Sequence, residues 1–336
     1  MSAMNRLSHF FMALKRKRRD WRACGQSNFI ISSPRSGSTW LQQSLNLHPD
    51  VICTENRLFG NFAEFWPNND GTRSLRITID EFVDVQTRHL PLASFGIKRP
   101  EYNKLLLARI SQCMCELLKE TTGRRYMFDK VTPYLGTSAL VVQGIREIFP
   151  QANIFLLARD GRDVLTSGAF DWLLRNGMGT DRYRYFVERE KGYQLQRFFD
   201  DELIETWARY WIEPLESLLE SDSMSLLIRY EDMIRDHGTV LSEIFSLCQI
   251  PGSEKQVNDC VNGSQFERMS GGRKQGENSI TEKARIGIAG DWRNYFTRQD
   301  GQLYEQLAGV FLRKLGYTSS NNWYENLPET LNLGPQ

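Results

Sequence analysis

The sequence predicts an α/β protein, a single domain with a mostly parallel central sheet flanked by helices. Short apolar runs and helical patterns alternate from end to end, which is typical of parallel sheets. The segment 153–158 is predominantly apolar, as expected of a strand that is buried on both faces. No internal repeat or low-complexity linker divides the 336 residues, so we expect one domain.

Four segments have the composition of short buried strands. The first is the apolar run 29–31, and the residues that follow it break a strand. The second, 126–128, ends at Asp129 and Lys130. The other two are predicted at 153–158 and 225–228.

Helical patterns fill most of the remaining chain. The first helix opens at Ser38, because Leu41 and Leu45 then stand four residues apart on one face. A helix at 101–121 has its apolar side formed by Leu105, Leu106, Ile110, Leu117 and Leu118. Pro150 ends the helix that precedes it. Further helices are predicted at 137–149, 162–174, 199–220, 231–248 and 300–315.

Four segments show no single regular element. We expect 50–100, rich in Asn, Phe and Pro, to form a long, partly helical insertion over the site. The polar, aromatic and Arg-rich segment 176–197 is expected to be mobile. The glycine-containing stretch 263–290 is predicted to be a loop or lid, and the tail beyond 320 to be loosely packed.

The chain is expected to comprise a basic N-terminal arm (1–25), the domain itself (26–318) and a C-terminal tail (319–336). In the arm, an apolar patch at 7–14 precedes the basic run 15–19. Such an arm either stays solvated or makes weak peripheral contact with an anionic membrane. It is too short for a secretory signal, and its charge lies on the wrong side. No apolar stretch approaches the ~20 residues of a membrane span.

The composition excludes some function classes. The formal net charge of +1 argues against a generally basic nucleic-acid binder. Six cysteines without a CxxC pair and only four histidines give no zinc-like cluster, so no metal site is predicted. Reduced thiols in a cytoplasmic protein are the simplest interpretation. The oligomeric state stays open.

The turn after the first strand has the features of an anion site. Residues 33–37 connect the strand to a helix N-terminus, where backbone N–H groups and the helix dipole favour negative charge. Arg35 adds a full positive charge, and neighbouring hydroxyls add neutral donors. The full Walker pattern of a magnesium-dependent P-loop is absent, because no Lys follows Gly37. A turn of this kind is also compatible with an empty strand–helix junction.

A second cationic motif follows the segment 153–158. Arg159 stands at the end of this predicted strand, and Ser167 lies about two turns into the next helix. Ligands of open α/β sheets bind outside the carboxyl ends of the strands, so Arg159 and the anion turn are expected on one rim. The alternative for this segment alone is an Arg–Asp network that caps a helix.

These motifs resemble those of sulfotransferases that use 3′-phosphoadenosine 5′-phosphosulfate (PAPS). The segment 34–40 is similar to their P-loop-like 5′-phosphosulfate-binding turn, and 159–167 to their 3′-phosphate-binding motif. The segments 228–232 and 287–296 resemble two later motifs of the family, in the same order. The resemblance implies a sulfotransferase with PAPS as co-substrate, no metal, and an acceptor hydroxyl.

The resemblance also implies roles for individual residues. Residues that match the phosphosulfate turn are Arg35, Ser36, Gly37, Ser38 and Thr39. Arg159, Ser167 and Arg285, with the adjoining Gly287, match positions that bind the 3′-phosphate. A Lys often follows the last arginine in the family, whereas Ile286 stands here. The positions of adenine-contacting residues are matched by Trp40, Tyr230, Ser264 and Phe266, although buried aromatic residues are more often part of a core.

Three residues are the candidates for catalysis. Arg35 would stabilise charge on the leaving phosphate, but its guanidinium cannot donate a proton. Lys130 matches the family's Lys at the end of the second strand, yet the catalytic His of the cytosolic branch is absent after it. Glu55 resembles the Glu base of the branches that act on sugars or on protein tyrosine, and Asp129 is the reserve candidate. The Glu-type arrangement favours a hydroxyl on a carbohydrate or glycolipid.

Two other functions remain alternatives at this point. A P-loop nucleotide or small-molecule kinase would need a Walker Lys and a magnesium-binding Asp, and neither is in position. A non-catalytic nucleotide-binding protein is compatible with the missing His.

Overall fold

The computed structural model describes most of the chain in side-chain detail. The described residues are 27–55, 83–172, 196–219, 221, 223–279 and 285–331, together with the backbone of 66–67, 73–74, 79–82 and 173–176. The N-terminal arm, the Arg-rich segment 177–195 and much of the insertion at 56–78 lie outside them. In the described residues, no helix is long and apolar enough to cross a membrane.

Five parallel strands form the central sheet, in the order β2-β5-β1-β6-β7. The strands are β1 (Ser27–Ser32), β2 (Val51–Glu55), β5 (Tyr126–Val131), β6 (Asn153–Ala158) and β7 (Leu226–Arg229). A separate antiparallel hairpin joins β3 (Trp66–Pro67) to β4 (Arg73–Ser74). The predicted α/β class and mostly parallel sheet are confirmed.

Helices cover both faces of this sheet. They are α1 (Ser38–Asn46), α2 (Ile79–Thr87), α3 (Arg99–Thr122), α4 (Ser138–Ile148), α5 (Gly161–Asn176), α6 (Asp201–Leu219), α7 (Tyr230–Leu247), α8 (Glu254–Gly263), α9 (Phe266–Met269) and α10 (Arg298–Lys314). Two short 3₁₀ helices, Leu92–Phe95 and Asp291–Asn294, complete the described elements.

Alternate side chains of the central strand point to opposite cores. Phe29 and Ile31 of β1 belong to the core that α4, α5, α6 and α10 cover. Ile30, between them, belongs to the core that α1 and α7 cover. This period of two explains why β1 is buried along its whole length and reads as an apolar run.

Two predictions of the elements need correction, and two elements were not predicted at all. The sequence did not predict β2, an edge strand with alternating burial. It also did not predict α8, which lies between the predicted helix at 231–248 and the predicted loop that begins at 263. On α3 the predicted apolar side is partly wrong, because Leu105 and Leu117 are 56% and 62% exposed. The described part of the C-terminal tail, up to residue 331, is not loosely packed, because Trp323 packs edge-on against Trp292.

The turn that leads into α5 is packed against large aromatic side chains. Gly161 begins this helix, and a Cβ atom there would lie 2.1 Å from the Tyr304 hydroxyl and 2.5 Å from the Trp211 ring. Both aromatic side chains are fully buried, so they have little room to move away. The Trp211 indole N–H also donates to the carbonyl oxygen of Arg159 at 2.8 Å. The aromatic core therefore fixes the backbone that carries this arginine.

We predict that Gly161→Ala destabilises the protein by about 1–3 kcal/mol, because the new methyl group overpacks a rigid core. Urea unfolding measures the change. The matched control is Gly238→Ala in α7, where the nearest atom to an added Cβ is 3.6 Å away. We expect the control to be neutral or slightly stabilising, since Ala favours a helix over Gly. Equal unfolding midpoints for Gly161→Ala and the wild type would contradict the packing argument.

Candidate active site

The turn between β1 and α1 has a backbone suited to anions. Arg35 and Gly37 both adopt left-handed conformations, with φ of 68° and 88°. A Cβ atom on Gly37 would lie 2.5 Å from the Tyr230 ring, so only glycine fits there without a shift. Among the described residues, no side chain caps the N-terminus of α1, which leaves its first N–H groups for a negatively charged ligand.

The side chain of Arg35 extends from this turn towards α5. Its Nε donates to the Ser167 hydroxyl at 3.1 Å. Its Nη1 lies 3.3 Å from an oxygen of Asp171, and both side chains are 17% exposed. The guanidinium is thus held between a hydroxyl and a carboxylate, both of which belong to the helix that follows Arg159.

Arg159 joins the anion turn to the C-terminal loop, which comprises residues 285–292. One guanidinium nitrogen donates to the Arg35 carbonyl oxygen at 3.2 Å, and the other to the carbonyl oxygen of Ile288 at 3.1 Å. Its guanidinium carbon lies 4.3 Å from the centre of the Tyr230 ring. The predicted proximity of Arg159 to the anion turn is therefore present in the structure.

Asp163 fixes the C-terminal loop to the start of α5. Its carboxylate is buried and accepts backbone N–H bonds from Gly290 at 2.6 Å and Trp292 at 3.0 Å. Burial raises the pKa of Asp163, whereas the nearby Arg159 acts in the opposite direction. Arg285 lies in the same loop and pairs with the buried Asp291.

Two arginines at this site, Arg159 and Arg285, each have a buried nitrogen without a hydrogen-bond partner among the described residues. In both side chains this nitrogen is the Nε atom. Arg285 also stacks on Phe170, 4.3 Å from the ring centre. An unsatisfied buried donor on a cation costs free energy unless an anion completes its hydrogen bonds. The donor set therefore fits a phosphate.

A cavity of about 740 Å³ connects these cations to aromatic side chains. This volume is typical of small-molecule sites. The predicted site residues that line it are Arg35, Gly37, Ser38, Thr39, Trp40, Arg159, Ser167, Tyr230, Phe266, Arg285 and Gly287. Phe266 packs so closely on Gly287 that a Cβ there would lie 2.5 Å from its ring.

Two serines that were predicted to contact the ligand have hydroxyl groups that form hydrogen bonds within the protein. The buried Ser36 hydroxyl bonds to the Ser33 hydroxyl at 2.7 Å. The Ser264 hydroxyl donates to the carbonyl oxygen of Cys260 at 2.7 Å, and neither serine lines the cavity. Local hydrogen bonds at a turn and a helix end therefore give both serine hydroxyls partners within the protein.

The catalytic candidates lie on the other side of the turn. The ammonium of Lys130 is 2.5 Å from a Glu55 oxygen and 3.3 Å from the Thr39 hydroxyl. Lys130 is nearly buried, whereas Glu55 is half exposed. Parallel pairing of β2 with β5 places Glu55 directly beside Lys130. The reserve candidate Asp129 is fully buried and accepts a hydrogen bond from Thr54 at 2.7 Å.

Several residues of the cavity were not predicted from the sequence. Gln43, Arg235, His237 and Asn258 contribute to its wall. No local motif marks them, because helices α1, α7 and α8 bring them together only in the folded chain. No group of three or more His, Cys, Asp or Glu residues able to hold a metal ion occurs among the described residues.

His237 is an uncharged histidine in the folded protein at neutral pH. Burial lowers the pKa of His237 to about 4, although Asp236 acts in the opposite direction. Its ring packs edge-on against the Trp40 ring, with 4.6 Å between the ring centres. His237 binds a proton more readily in the unfolded chain than in the folded protein, so protonation of this histidine favours unfolding.

We predict that lowering the pH from about 7.5 to about 5 removes about 2 kcal/mol of folding free energy through His237. The contribution of neutral His237 to the free energy of unfolding is fully present above the pKa that this histidine has in the unfolded chain. It declines as the pH falls towards the lower pKa that His237 has in the folded protein. Urea unfolding of the wild type and of His237→Phe at several pH values measures the effect. The variant should show a shallower decline over this range, and parallel curves for the two proteins would contradict the prediction.

Known proteins resemble this chain over most of its length. The family model of the sulfotransferase domain matches residues 26–318. Human sulfotransferase 2A1 is 24% identical over 202 residues, which are 55% of this chain and 66% of that protein. This chain therefore spans about two thirds of that relative's length. Rabbit amine sulfotransferase is 22% identical over 296 residues, which are 83% of this chain and 78% of the relative.

Among solved structures, mouse sulfotransferase SULT7A1 complexed with PAP is 17% identical to this chain, with a TM-score of 0.49. The match covers 90% of this chain and 88% of that chain. The family match supports PAPS as the co-substrate that the sequence motifs imply. Because the domain model matches most of the sequence, the chain belongs to the sulfotransferase domain family.

Proposed function

We propose that this protein transfers the sulfuryl group of PAPS to an acceptor hydroxyl. The observation that carries the proposal is the set of three arginines, Arg35, Arg159 and Arg285, around one cavity with aromatic walls. Two of these cations keep buried Nε donors without a partner in the described chain. PAPS carries anionic groups at both the 3′ and the 5′ position of one adenosine, which matches cations at two places.

The binding roles divide between the two ends of the cavity. Arg159, Ser167 and Arg285 would hold the 3′-phosphate, and the turn with Arg35 would hold the phosphosulfate. Trp40 and Phe266 would flank the adenine. Burial raises the pKa of Tyr230, so its hydroxyl keeps its proton and is a hydrogen-bond donor at neutral pH. These assignments follow from the residues that line the cavity and from the family motifs.

In the transfer, PAPS supplies an activated sulfuryl group. The acceptor oxygen forms a bond to sulfur, the bond from sulfur to the phosphate oxygen breaks, and the acceptor gives up its proton. Arg35 and the N–H groups of α1 stabilise the negative charge that develops on the leaving phosphate. Arg35 keeps its proton throughout, because a guanidinium does not dissociate at neutral pH. A different residue must therefore accept the proton.

Glu55 is the proposed general base. It is half exposed beside the turn, whereas the rival carboxylate of Asp129 is fully buried and bonded to Thr54. Lys130 orients Glu55 through the 2.5 Å ion pair and also reaches Thr39 in the turn. This chain of contacts connects the base to the sulfuryl site. Lys130 is then a positioning residue for Glu55 and a second cation near the transferred group.

The acceptor is proposed to be a hydroxyl of a carbohydrate or glycolipid. The support is the carboxylate base at the end of β2, together with the absence of a histidine after Lys130. The rabbit relative is named an amine sulfotransferase. An acceptor panel should therefore include amines and simple alcohols beside sugars and glycolipids.

The test combines nucleotide binding with turnover of labelled PAPS. We expect binding of adenosine 3′,5′-bisphosphate without magnesium, and transfer of label to an acceptor from the panel. Glu55→Gln should bind the bisphosphate normally but lose about 10²–10⁴-fold in kcat, because the base is gone. The matched control is Glu254→Gln in the exposed first turn of α8, which should keep full turnover.

Different results separate the parts of this proposal. Full turnover by Glu55→Gln would remove Glu55 as the base and leave the sulfotransferase function intact. Tight binding of ATP that requires magnesium, with no binding of the bisphosphate, would favour a kinase. Binding of PAPS without transfer to any acceptor class would favour a non-catalytic protein.

Asp171 should weaken binding of the donor, because it places a carboxylate 3.3 Å from the Arg35 guanidinium. We predict that Asp171→Asn tightens binding of adenosine 3′,5′-bisphosphate about 2- to 5-fold, as expected for removal of a partly exposed opposing charge. Isothermal titration calorimetry measures the change. The control Asp259→Asn removes an exposed charge outside the cavity wall and should leave the affinity unchanged. Weaker binding by Asp171→Asn would mean that this carboxylate orients Arg35 productively.

A further inference from the structure

The cavity contains a histidine that the proposed binding roles do not use. His237 contributes to the same wall as Trp40, and its ring lies 4.6 Å from the tryptophan ring, at 66° to it. The side chain is only 7% exposed. A base stacked parallel to Trp40 meets the imidazole at a steep angle. This angle rules out face-to-face stacking with His237 and leaves contacts along an edge.

The imidazole has an unused hydrogen-bonding atom. Nε2 of His237 is buried and makes no hydrogen bond in the described part of the protein. A buried polar atom of this kind costs free energy unless a partner completes it. Because the ring is neutral, one of its nitrogens carries a lone pair that accepts a hydrogen bond.

The backbone near His237 is shaped to place this side chain. Asp236 departs from helical geometry inside α7, with φ of −153° and ψ of 82°. Its carboxylate accepts bonds from the N–H and the hydroxyl of Thr239, at 3.0 and 2.7 Å, and so caps the second half of the helix. A kink stabilised in this way directs the residues on either side of it differently from a regular helix.

We propose that His237 accepts a hydrogen bond from the 6-amino group of the adenine base and makes the site prefer adenine. The inference rests on the proposed PAPS site. The 6-amino group is the only hydrogen-bond donor of the base in an adenine nucleotide, so it is the partner that an acceptor in this cavity selects. His237 is then a specificity residue that acts on the ligand, in addition to packing against Trp40.

The alternative role of His237 is packing alone. A ring that only supports Trp40 would affect every nucleotide equally, whatever group the base carries at position 6. A contact with the amino group affects only ligands that have it. This difference can be measured by changing the protein and the ligand in the same experiment.

The experiment measures binding of two ligands to three proteins by calorimetry. The ligands are adenosine 3′,5′-bisphosphate and purine riboside 3′,5′-bisphosphate, which lacks the 6-amino group. The proteins are the wild type, His237→Phe, which keeps an aromatic ring beside Trp40, and His237→Gln, which keeps an acceptor. Melting temperatures and circular dichroism verify that each variant is folded.

We expect the wild type to prefer the adenosine ligand by about 5- to 10-fold, as one net hydrogen bond provides. The preference should fall to less than about 2-fold in His237→Phe and return in part in His237→Gln. Equal loss of affinity for both ligands in His237→Phe, with the preference kept, would overturn the proposal and leave a packing role. A wild-type protein that binds neither bisphosphate would refute the proposed PAPS site, and this inference with it.

Discussion

The ion pairs and N–H bonds around Asp163 hold together parts of the chain that are far apart in sequence. This carboxylate lies in the first turn of α5 and accepts bonds from Gly290 and Trp292, more than 120 residues later. The same loop carries Arg285, and Arg159 bonds to its backbone at Ile288. Without this buried anion, the C-terminal loop would lose two of the hydrogen bonds that hold it, and with it the second cationic half of the cavity, against α5.

The site brings positive charge into a poorly solvated place, which is unfavourable unless the charge is compensated. Acidic partners compensate part of it, since Arg159 lies beside Asp163 and Arg285 pairs with Asp291. Their remaining Nε donors are left for a ligand. A cavity of this kind is pre-organised for an anion, because the arginines are held by carbonyl oxygens and rings before the ligand arrives. Pre-organisation of this kind suits a transfer reaction in which negative charge develops on a leaving phosphate.

The sequence alone predicted the features that depend on local chemistry. The buried strands β1 and β6, the anion turn and the cation at the end of β6 follow from apolar runs and the residues that terminate them. Edge strand β2 was not predicted, because only one of its faces is buried and its apolar run is broken by Thr54. The packing of Trp323 on the core depends on contacts across the fold that no local pattern reveals.

Within the site, too, some side chains could be placed from local sequence, whereas others depend on contacts across the fold. Arg159 and Ser167 were expected near the anion turn from their places after a strand and in the helix that follows it, and both line the cavity. The hydroxyls of Ser36 and Ser264 have partners within the protein that no sequence motif reveals, and their roles towards a ligand stay a prediction. His237 comes to the cavity only through the packing of α7 against α1.

The hydrogen bond from Arg159 to the Arg35 carbonyl oxygen has a geometric consequence. Strands β1 and β6 are neighbours in the sheet, and this 3.2 Å bond joins the residues that follow them. The two cationic ends of the cavity are thus held at a constant separation by the sheet itself. In the proposed binding mode, this fixed separation would have to match the distance between the two anionic groups of the ligand. An isomer with its phosphate on a different ribose oxygen would place those groups at a different distance.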